Sequence, residues 1–295
     1  MRKVASSLLG LSLALGGACA ALGQEKSAGT APRPKVLQIM REYTKPGKSG
    51  MVHDKAESAF VQAMSHAKWP TNYVGMTSLT GKPRALFFTF YDSFEALEKD
   101  GAAVAKNATL SAAIDRAGEA DGQLLDSMDQ GIFYFSDEMS LRPRADLSQV
   151  RFLQILSFHV RPGHDEEWNE VMKLVKGAYE KGVPDAHWGM FRQMFGGEGG
   201  TYLVLIGRKS LSEIDKGILQ DDMKFAAALG EDGMKKLNEK FGASVDSSQE
   251  QLFAINPRMS YVSDEWIKAD PDFWKPKAAA APAMKPPAED KKAKP

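Results

Sequence analysis

Apolar and amphipathic segments alternate along the chain in an order that occurs twice. Val36–Thr44 and Phe152–Val160 are short, rich in aliphatic and aromatic residues and followed by a Pro-Gly pair, so we predict that both are strands. After each strand, apolar side chains recur at three- and four-residue steps, which predicts a helix with one buried face. The two stripes are His53, Ala56, Phe60, Ala63 and Ala67, and Trp168, Val171, Met172, Val175 and Tyr179.

Two more strands, a second helix and a final strand complete each copy. We predict the strands at 72–79, 85–91 and 131–135 in the first copy and at 187–195, 201–207 and 251–255 in the second. The second helices are indicated by the stripes Leu110, Ala113, Ile114, Ala117 and Leu124, and Phe225, Ala226, Leu229, Leu237 and Phe241. The order strand, helix, strand, strand, helix, strand is that of a ferredoxin-like unit.

The two copies also share sequence. Leu-Gln-Ile begins at residue 37 and again at residue 153, an offset of 116 (153 minus 37). Val-Gly-Met at 74 is matched by Trp-Gly-Met at 188, an offset of 114 (188 minus 74). A near-constant offset indicates a tandem duplication, so we predict one unit at 35–145 and another at 150–263. The strands are apolar on both faces, and we therefore expect the two sheets to cover each other.

The turns after the first strands, in YTKPGK and HVRPGHDEEW, resemble those of the dimeric α+β barrel superfamily. This superfamily includes NIPSNAP-like proteins, antibiotic biosynthesis monooxygenase-like proteins and relatives of chlorite dismutase, and the turns are closest to the NIPSNAP branch. The resemblance implies an α+β fold in which two tandem ferredoxin-like (βαββαβ) units pack sheet to sheet as an intramolecular dimeric α+β barrel. Such a pseudo-dimer needs no second chain. Cofactor-free oxygenation and haem binding or degradation are the implied activities, and the fold does not choose between them.

Candidate ligand-binding residues concentrate in the second unit. His187, Trp188 and Arg192 lie on its second predicted strand, where apolar and polar side chains alternate as in the wall of a small-molecule pocket. An ordinary core, in which Arg192 pairs with an acid such as Glu42, is the alternative. We expect the pocket between the sheet and the helices of one unit.

His159 is a further candidate, with Tyr43 at the corresponding position of the first unit. Haem would require an axial histidine aimed into the pocket, and His159 and His187 are the first choices, followed by His53. No motif indicates haem, so the cofactor stays open, and no catalytic residue is identified.

Metal and other active-site templates are not matched. His159, His164 and Asp165 lack a recognised ligand spacing, and we predict no metal site. The chain has no phosphate-binding loop and no nucleophile elbow. With 38 basic and 38 acidic residues, it has no charge excess that would favour nucleic acid.

The chain ends differ in composition from the two units. A basic start, an apolar stretch and Ala-Cys-Ala at 18–20 predict a signal peptide at 1–20, followed by a linker at 21–34. Residues 275–295 are rich in Pro, Ala and Lys and predict a disordered tail. No other stretch has the length and apolar character of a transmembrane segment. We expect a periplasmic or secreted protein, with lipidation at Cys19 as the alternative.

These observations favour an exported protein that binds a small molecule. A cofactor-free monooxygenase, or a haem-binding or haem-degrading enzyme, is the alternative implied by the resemblance. A cell-envelope interaction module, in which the lysine-rich tail makes the contact, is the second alternative.

The signal-peptide prediction is tested by the mass of the exported protein. We expect the intact mass of protein from the cell exterior or periplasm to start at Ala21, because Ala18 and Ala20 are the small residues that precede cleavage. A mass that starts at Cys19 and includes lipid would establish lipoprotein processing.

Overall fold

The computed structural model describes residues 33–143 and 147–275. The predicted signal peptide, nearly all of the predicted linker and all but the first residue of the predicted tail lie outside these residues. Within the described ranges, no helix has both the length and the apolar character that crossing a membrane requires.

The first unit follows the predicted order, with one helix more than expected. Its elements are β1 Val36–Thr44, α1 Met51–Ala67, β2 Tyr73–Ser78, β3 Arg84–Tyr91, α2 Phe94–Lys106, α3 Ala108–Gly122 and β4 Leu125–Leu141. The predicted second helix is α3, and α2 was missed. Two caps define these helices: the Ser93 side chain accepts a hydrogen bond from the Ala96 backbone N–H, and the Asn107 side chain accepts one from Leu110.

The second unit repeats the arrangement and continues into a C-terminal segment. Its elements are β5 Phe152–Val160, α4 Asp165–Gly182, β6 Trp188–Phe195, β7 Thr201–Arg208, α5 Ser212–Lys216, a π-helical turn Gly217–Asp221, α6 Asp222–Ser244 and β8 Val245–Ile255. The C-terminal segment contains a 3₁₀ turn Pro257–Met259, α7 Asp264–Ala269 and α8 Pro271–Trp274. The helices α7 and α8 follow the predicted end of the second unit and were not anticipated.

The final strand of each unit is longer than its apolar pattern indicates. β4 has 17 residues, and its first part, 126–130, is exposed and polar except for Met128. These residues pair with β1, for example Gln130 with Met40. Because this part is held by backbone pairing and by polar contacts such as the Arg41–Asp129 ion pair, hydrophobic periodicity did not reveal it.

The eight strands of the described residues form one closed barrel in the order β1-β3-β2-β8-β5-β7-β6-β4. Within each unit the strands have the ferredoxin-like order, and all pairs are antiparallel. The two sheets join at both edges: Met76 of β2 pairs with Ile255 of β8, and Phe135 of β4 pairs with Phe191 of β6. The predicted fold, two tandem ferredoxin-like units forming an intramolecular dimeric α+β barrel, is confirmed.

Alternate side chains of the strands contribute to two kinds of core. One face of every strand lies in the barrel interior, where Leu86 and Phe88 of β3 join apolar residues of the other strands. The opposite face packs under helices, as Ala85 and Phe87 of β3 do in the first unit. In the second unit this helix-covered layer is a large apolar cluster that includes Trp168 of α4.

The C-terminal segment returns to β2 of the first unit and to the connection between the two units. Tyr261 exchanges backbone hydrogen bonds with Tyr73 of β2, and the Trp274 indole N–H donates to the Ser148 carbonyl at 2.9 Å. The 3₁₀ turn lies directly on Gly75: a Cβ atom built there would be 2.4 Å from the Met259 carbonyl oxygen. Gly75 therefore permits the close approach of the two backbones.

We expect Gly75→Ala to lower the free energy of unfolding by about 1–3 kcal/mol, because the added methyl group must displace backbone atoms of the 3₁₀ turn. Gly101→Ala is the control, since the space around Gly101 in α2 is open and alanine favours a helix. Chemical denaturation measures both. Equal stability of Gly75→Ala and the unsubstituted protein would contradict the close contact.

Candidate functional site

A cavity of about 510 Å³ lies inside one end of the barrel, and we refer to it as the barrel cavity. Its apolar wall comes from seven strands and the C-terminal segment, and includes Val74, Met76, Phe88, Phe90, Phe135, Leu153, Phe191, Leu205, Ile255 and Trp266. Arg33, Asp92 and Lys209 also line it and are exposed, so they mark its solvent side. The volume is in the range of small-molecule sites.

The pocket expected between the sheet and the helices of the second unit is not found there. Phe158, Trp168 and Phe241 fill this layer, with ring centroids 5.2 and 6.1 Å from that of Phe158. The space left among these side chains is about 20 Å³, room for about one water molecule and far too little for a larger ligand. The sequence pattern showed apolar faces but could not show that they fill the layer completely.

His187 and Trp188 lie at the barrel cavity. His187 Nδ1 is 3.0 Å from the Asp185 carbonyl oxygen, and Nε2 is 3.3 Å from that of Gly207. The Trp188 indole N–H donates to the Met139 carbonyl oxygen at 2.8 Å, and the ring also packs in the layer under α4. Both side chains are therefore held by backbone groups.

His159, Arg192 and Tyr43 are not among the residues that line the barrel cavity. His159 is 3.8 Å from the exposed Glu198, and the Tyr43 ring lies beneath the ammonium group of Lys82. Arg192 is exposed and pairs through its backbone with β4 and β7. The alternative pairing of Arg192 with Glu42 is wrong.

Glu42 instead belongs to a buried acid–histidine cluster in the helix-covered layer of the first unit. Its members are Glu42 of β1, His53 and Glu57 of α1, and Asp121 of α3, each 2–3% exposed. His53 Nε2 is 3.2 Å from a Glu42 oxygen, 3.2 Å from an Asp121 oxygen and 3.9 Å from a Glu57 oxygen. The four ligand-type atoms all lie within 4.8 Å of one another.

The electrostatics of this cluster are unusual for a protein interior. Burial alone lowers the pKa of His53, but the contacts of its ring with Asp121 and Glu42 and the charges of Asp121 and Glu57 outweigh it and raise this pKa to about 10. Burial, with the neighbouring carboxylates, raises the pKa of Glu57 to about 9, and burial also raises that of Glu42. The site concentrates three carboxyl groups in a place from which water is excluded, which disfavours their ionised forms unless a cation is present.

Sequence analysis missed the cluster because its members are far apart along the chain. They are separated by 11, 4 and 64 positions (53 minus 42, 57 minus 53, 121 minus 57) and come from three elements. His53 appeared as part of an apolar stripe. The one local signal was a glutamate four residues after a histidine on a predicted helix, which places both side chains on one face.

The second unit has apolar side chains at the equivalent positions. Glu42 and Phe158 each lie two residues before the bulge that ends the first strand, at Thr44 and Val160. The helix residues are matched by counting from the ends of the helices or from the strand that follows. On this basis Trp168, Met172 and Phe241 correspond to His53, Glu57 and Asp121. The Phe158 ring contacts Trp168 and Phe241 as Glu42 contacts His53. The fold therefore does not require polar residues at these four positions.

Comparison with known proteins finds partial similarity to solved structures and little similarity in sequence. No family model and no curated protein matches. Among solved structures, a "Putative monooxygenase" from Fusobacterium nucleatum has a TM-score of 0.48 at 10% identity, covering 76% of this chain and 93% of its own. An anthrone oxidase-like protein has a TM-score of 0.46 at 14% identity, covering 75% and 92%. A mutant chlorite dismutase from Candidatus Nitrospira defluvii has 0.43 at 8%, covering 80% and 95%. TM-scores below 0.5 at 8–14% identity assign no activity to this chain.

The residues present do not fit haem with His159 or His187 as the axial ligand. The layer under α4 has space of about 20 Å³, and both ring nitrogens of His187 lie at backbone carbonyls. We expect haemin added to the purified protein to give the same Soret band with the unsubstituted chain and with His187→Ala. A band that shifts on binding and is lost in His187→Ala or His159→Ala would contradict this.

Proposed function

We propose that this protein binds a small apolar, aromatic molecule in the barrel cavity. The observation that carries the proposal is a preformed volume of about 510 Å³ whose wall is made mainly of aliphatic and aromatic side chains. Sites of this size and lining are typical of small-molecule binding. The cavity is also continuous with solvent through its exposed charged residues, which gives a ligand a way in.

The arrangement of rings favours an aromatic ligand. The Phe135 and Phe191 rings are 5.3 Å apart at 60°, and Phe90 is 6.4 Å from Phe191. Edge-to-face contacts of this kind are preferred by aromatic groups, and a flat ligand can extend them. The amides of Asn72 and Gln149 also line the cavity. A polar substituent of the ligand would therefore lie towards them, while its ring contacts the phenylalanines.

Monooxygenation of the bound molecule is the second candidate, because the turn motifs resemble a superfamily that contains cofactor-free oxygenases. Binding without a reaction is favoured by the titratable groups at the cavity. Asp92 and Lys209 are exposed, and both nitrogens of His187 lie at backbone carbonyls. None of these three is a buried base poised to remove a proton from a ligand.

The place of action is part of the proposal. We propose that the protein works in the periplasm or outside the cell, on the basis of the sequence of residues 1–20. The envelope-module alternative depends on residues 276–295, which lie outside the described residues.

Filling the cavity tests the proposal. Leu205 lines the barrel cavity, and Leu205→Trp places a larger side chain in it. We expect this variant to bind the neutral dye N-phenyl-1-naphthylamine at least tenfold more weakly, a loss of about 1.4 kcal/mol. Dye fluorescence measures the affinity. Leu211→Trp, which makes the same change at a side chain 42% exposed, is the matched control.

Two results would count against binding in the barrel cavity: no saturable dye binding by the unsubstituted protein, or equal affinity of Leu205→Trp and the control. Melting temperatures of both variants show whether the fold is kept. Oxygen uptake in the presence of quinols or anthrones distinguishes the two candidates, because only an oxygenase consumes oxygen with a bound substrate.

A further inference from the structure

We propose that the acid–histidine cluster is a binding site for one divalent transition-metal ion, held by Glu42, His53, Glu57 and Asp121. This site is separate from the barrel cavity, because its residues lie in the helix-covered layer on the outer side of the sheet. The proposal does not depend on the function proposed for the cavity.

Charge is the first argument. Among the described residues, His53 is the only basic side chain that forms an ion pair with any of the three carboxylates. If all three carboxyl groups were ionised, they would leave a net charge of −2 even with His53 protonated (one minus three), in a buried volume. Buried charge of this kind requires neutralisation by protons or by a cation. With a neutral imidazole, a divalent ion reduces the net charge to −1 (two minus three).

Unsatisfied oxygen atoms are the second argument. Glu57 Oε1 and Asp121 Oδ1 are buried and make no hydrogen bond of normal geometry, although Asp121 Oδ1 lies 3.2 Å from His53 Nε2. Both oxygens belong to members of the cluster, whose four ligand-type atoms lie within 4.8 Å of one another. A proton shared within the cluster would be expected to form hydrogen bonds to such atoms, since leaving a buried polar atom unpaired costs about 1–3 kcal/mol. An ion at the centre of the cluster satisfies both oxygens.

The distances agree with coordination. Two ligand atoms that are each about 2.1 Å from one ion are roughly 3.0–4.2 Å apart. The three separations from His53 Nε2 are 3.2, 3.2 and 3.9 Å. The largest separation in the set, at most 4.8 Å, needs only a small contraction. The side chains are therefore already close to the positions that one ion requires.

The ligand set indicates the kind of ion. One imidazole nitrogen and three carboxylate oxygens suit Zn²⁺ or Mn²⁺, whereas Ca²⁺ takes six to eight oxygens and Mg²⁺ keeps several waters. All four ligands are almost fully buried. Structural sites are closed in this way by protein ligands, while catalytic sites keep an open position. We infer a structural ion that joins α1 and α3 to β1.

The comparison of the two units supports a role in ion binding for the four residues of the cluster. The second unit fills the equivalent layer with Phe158, Trp168, Met172 and Phe241, which carry no charge. Apolar residues of similar volume are often as good as or better than a buried ionic group for stability. Four ligand-type residues in the first unit are therefore better explained by a bound ion than by the needs of packing.

Calorimetric titration of the full chain tests the site. After treatment with EDTA and dialysis, we expect the protein to bind one Zn²⁺ or one Mn²⁺, with Zn²⁺ bound more tightly. We expect a saturating ion to raise the melting temperature by roughly 5–10 °C, because it binds the folded state only.

Two near-isosteric variants locate the ion. Glu57→Gln and Asp121→Asn each remove one anionic ligand. Loss of a hydrogen-bond partner of a ligand already lowers metal affinity ~10–100-fold, and we expect loss of a ligand itself to lower the affinity for Zn²⁺ by at least as much. Glu98→Gln is the control, because it makes the same change at an exposed position of α2. It should bind as the unsubstituted chain does.

Either of two outcomes would overturn the proposal. The first is an unsubstituted chain that takes up neither ion and keeps its melting temperature, a measurement that needs no variant to fold. The second is unchanged uptake in both Glu57→Gln and Asp121→Asn, which would place the ion at other carboxylates.

Discussion

The pairing of strand edges between the two units is the constraint on which the rest of the structure depends. A single ferredoxin-like sheet has two unpaired edges and one bare apolar face. Pairing β2 with β8 and β4 with β6 removes all four edges and turns both bare faces into a common interior. Because both units are in one chain, this closure is intramolecular and does not depend on protein concentration.

Closure of the barrel separates the molecule into an interior and two helix-covered layers, and these three regions differ in kind. The interior is apolar and retains a cavity at one end. The layer under α4 is packed with aromatic rings. The corresponding layer of the first unit contains the acid–histidine cluster. Duplication thus provided two equivalent layers, of which one is filled for stability and the other carries groups that packing does not need.

Strand β2 lies between the barrel cavity and the acid–histidine cluster. Val74 and Met76 face the barrel cavity, while Tyr73 packs against Phe87 on the helix-covered side, where burial and the charges of Glu57 and Glu42 raise its pKa. The C-terminal segment contacts the same strand: Met259 lies on Gly75, and Trp266 lines the cavity. A segment outside the repeated unit therefore completes one end of the barrel.

The sequence by itself determined the order of elements, the duplication and the fold class. These follow from local periodicity and from the Pro-Gly turns, where Gly47 and Gly163 adopt φ of 75° and 83°, which favour glycine. Local pattern was less informative where backbone pairing and polar side-chain contacts hold a strand, as in the first part of β4. It also missed α2, whose boundaries depend on capping side chains.

The tertiary structure decided where chemistry can occur. Periodicity shows which residues are buried but not how completely their side chains fill a layer, so the cavity lies inside the barrel and not under α4. Glu42, His53, Glu57 and Asp121 come together only when three elements pack, and no spacing along the chain encodes their distances. The position of an apolar face is a local property of the sequence, whereas the convergence of distant side chains depends on how the helices and strands pack against one another.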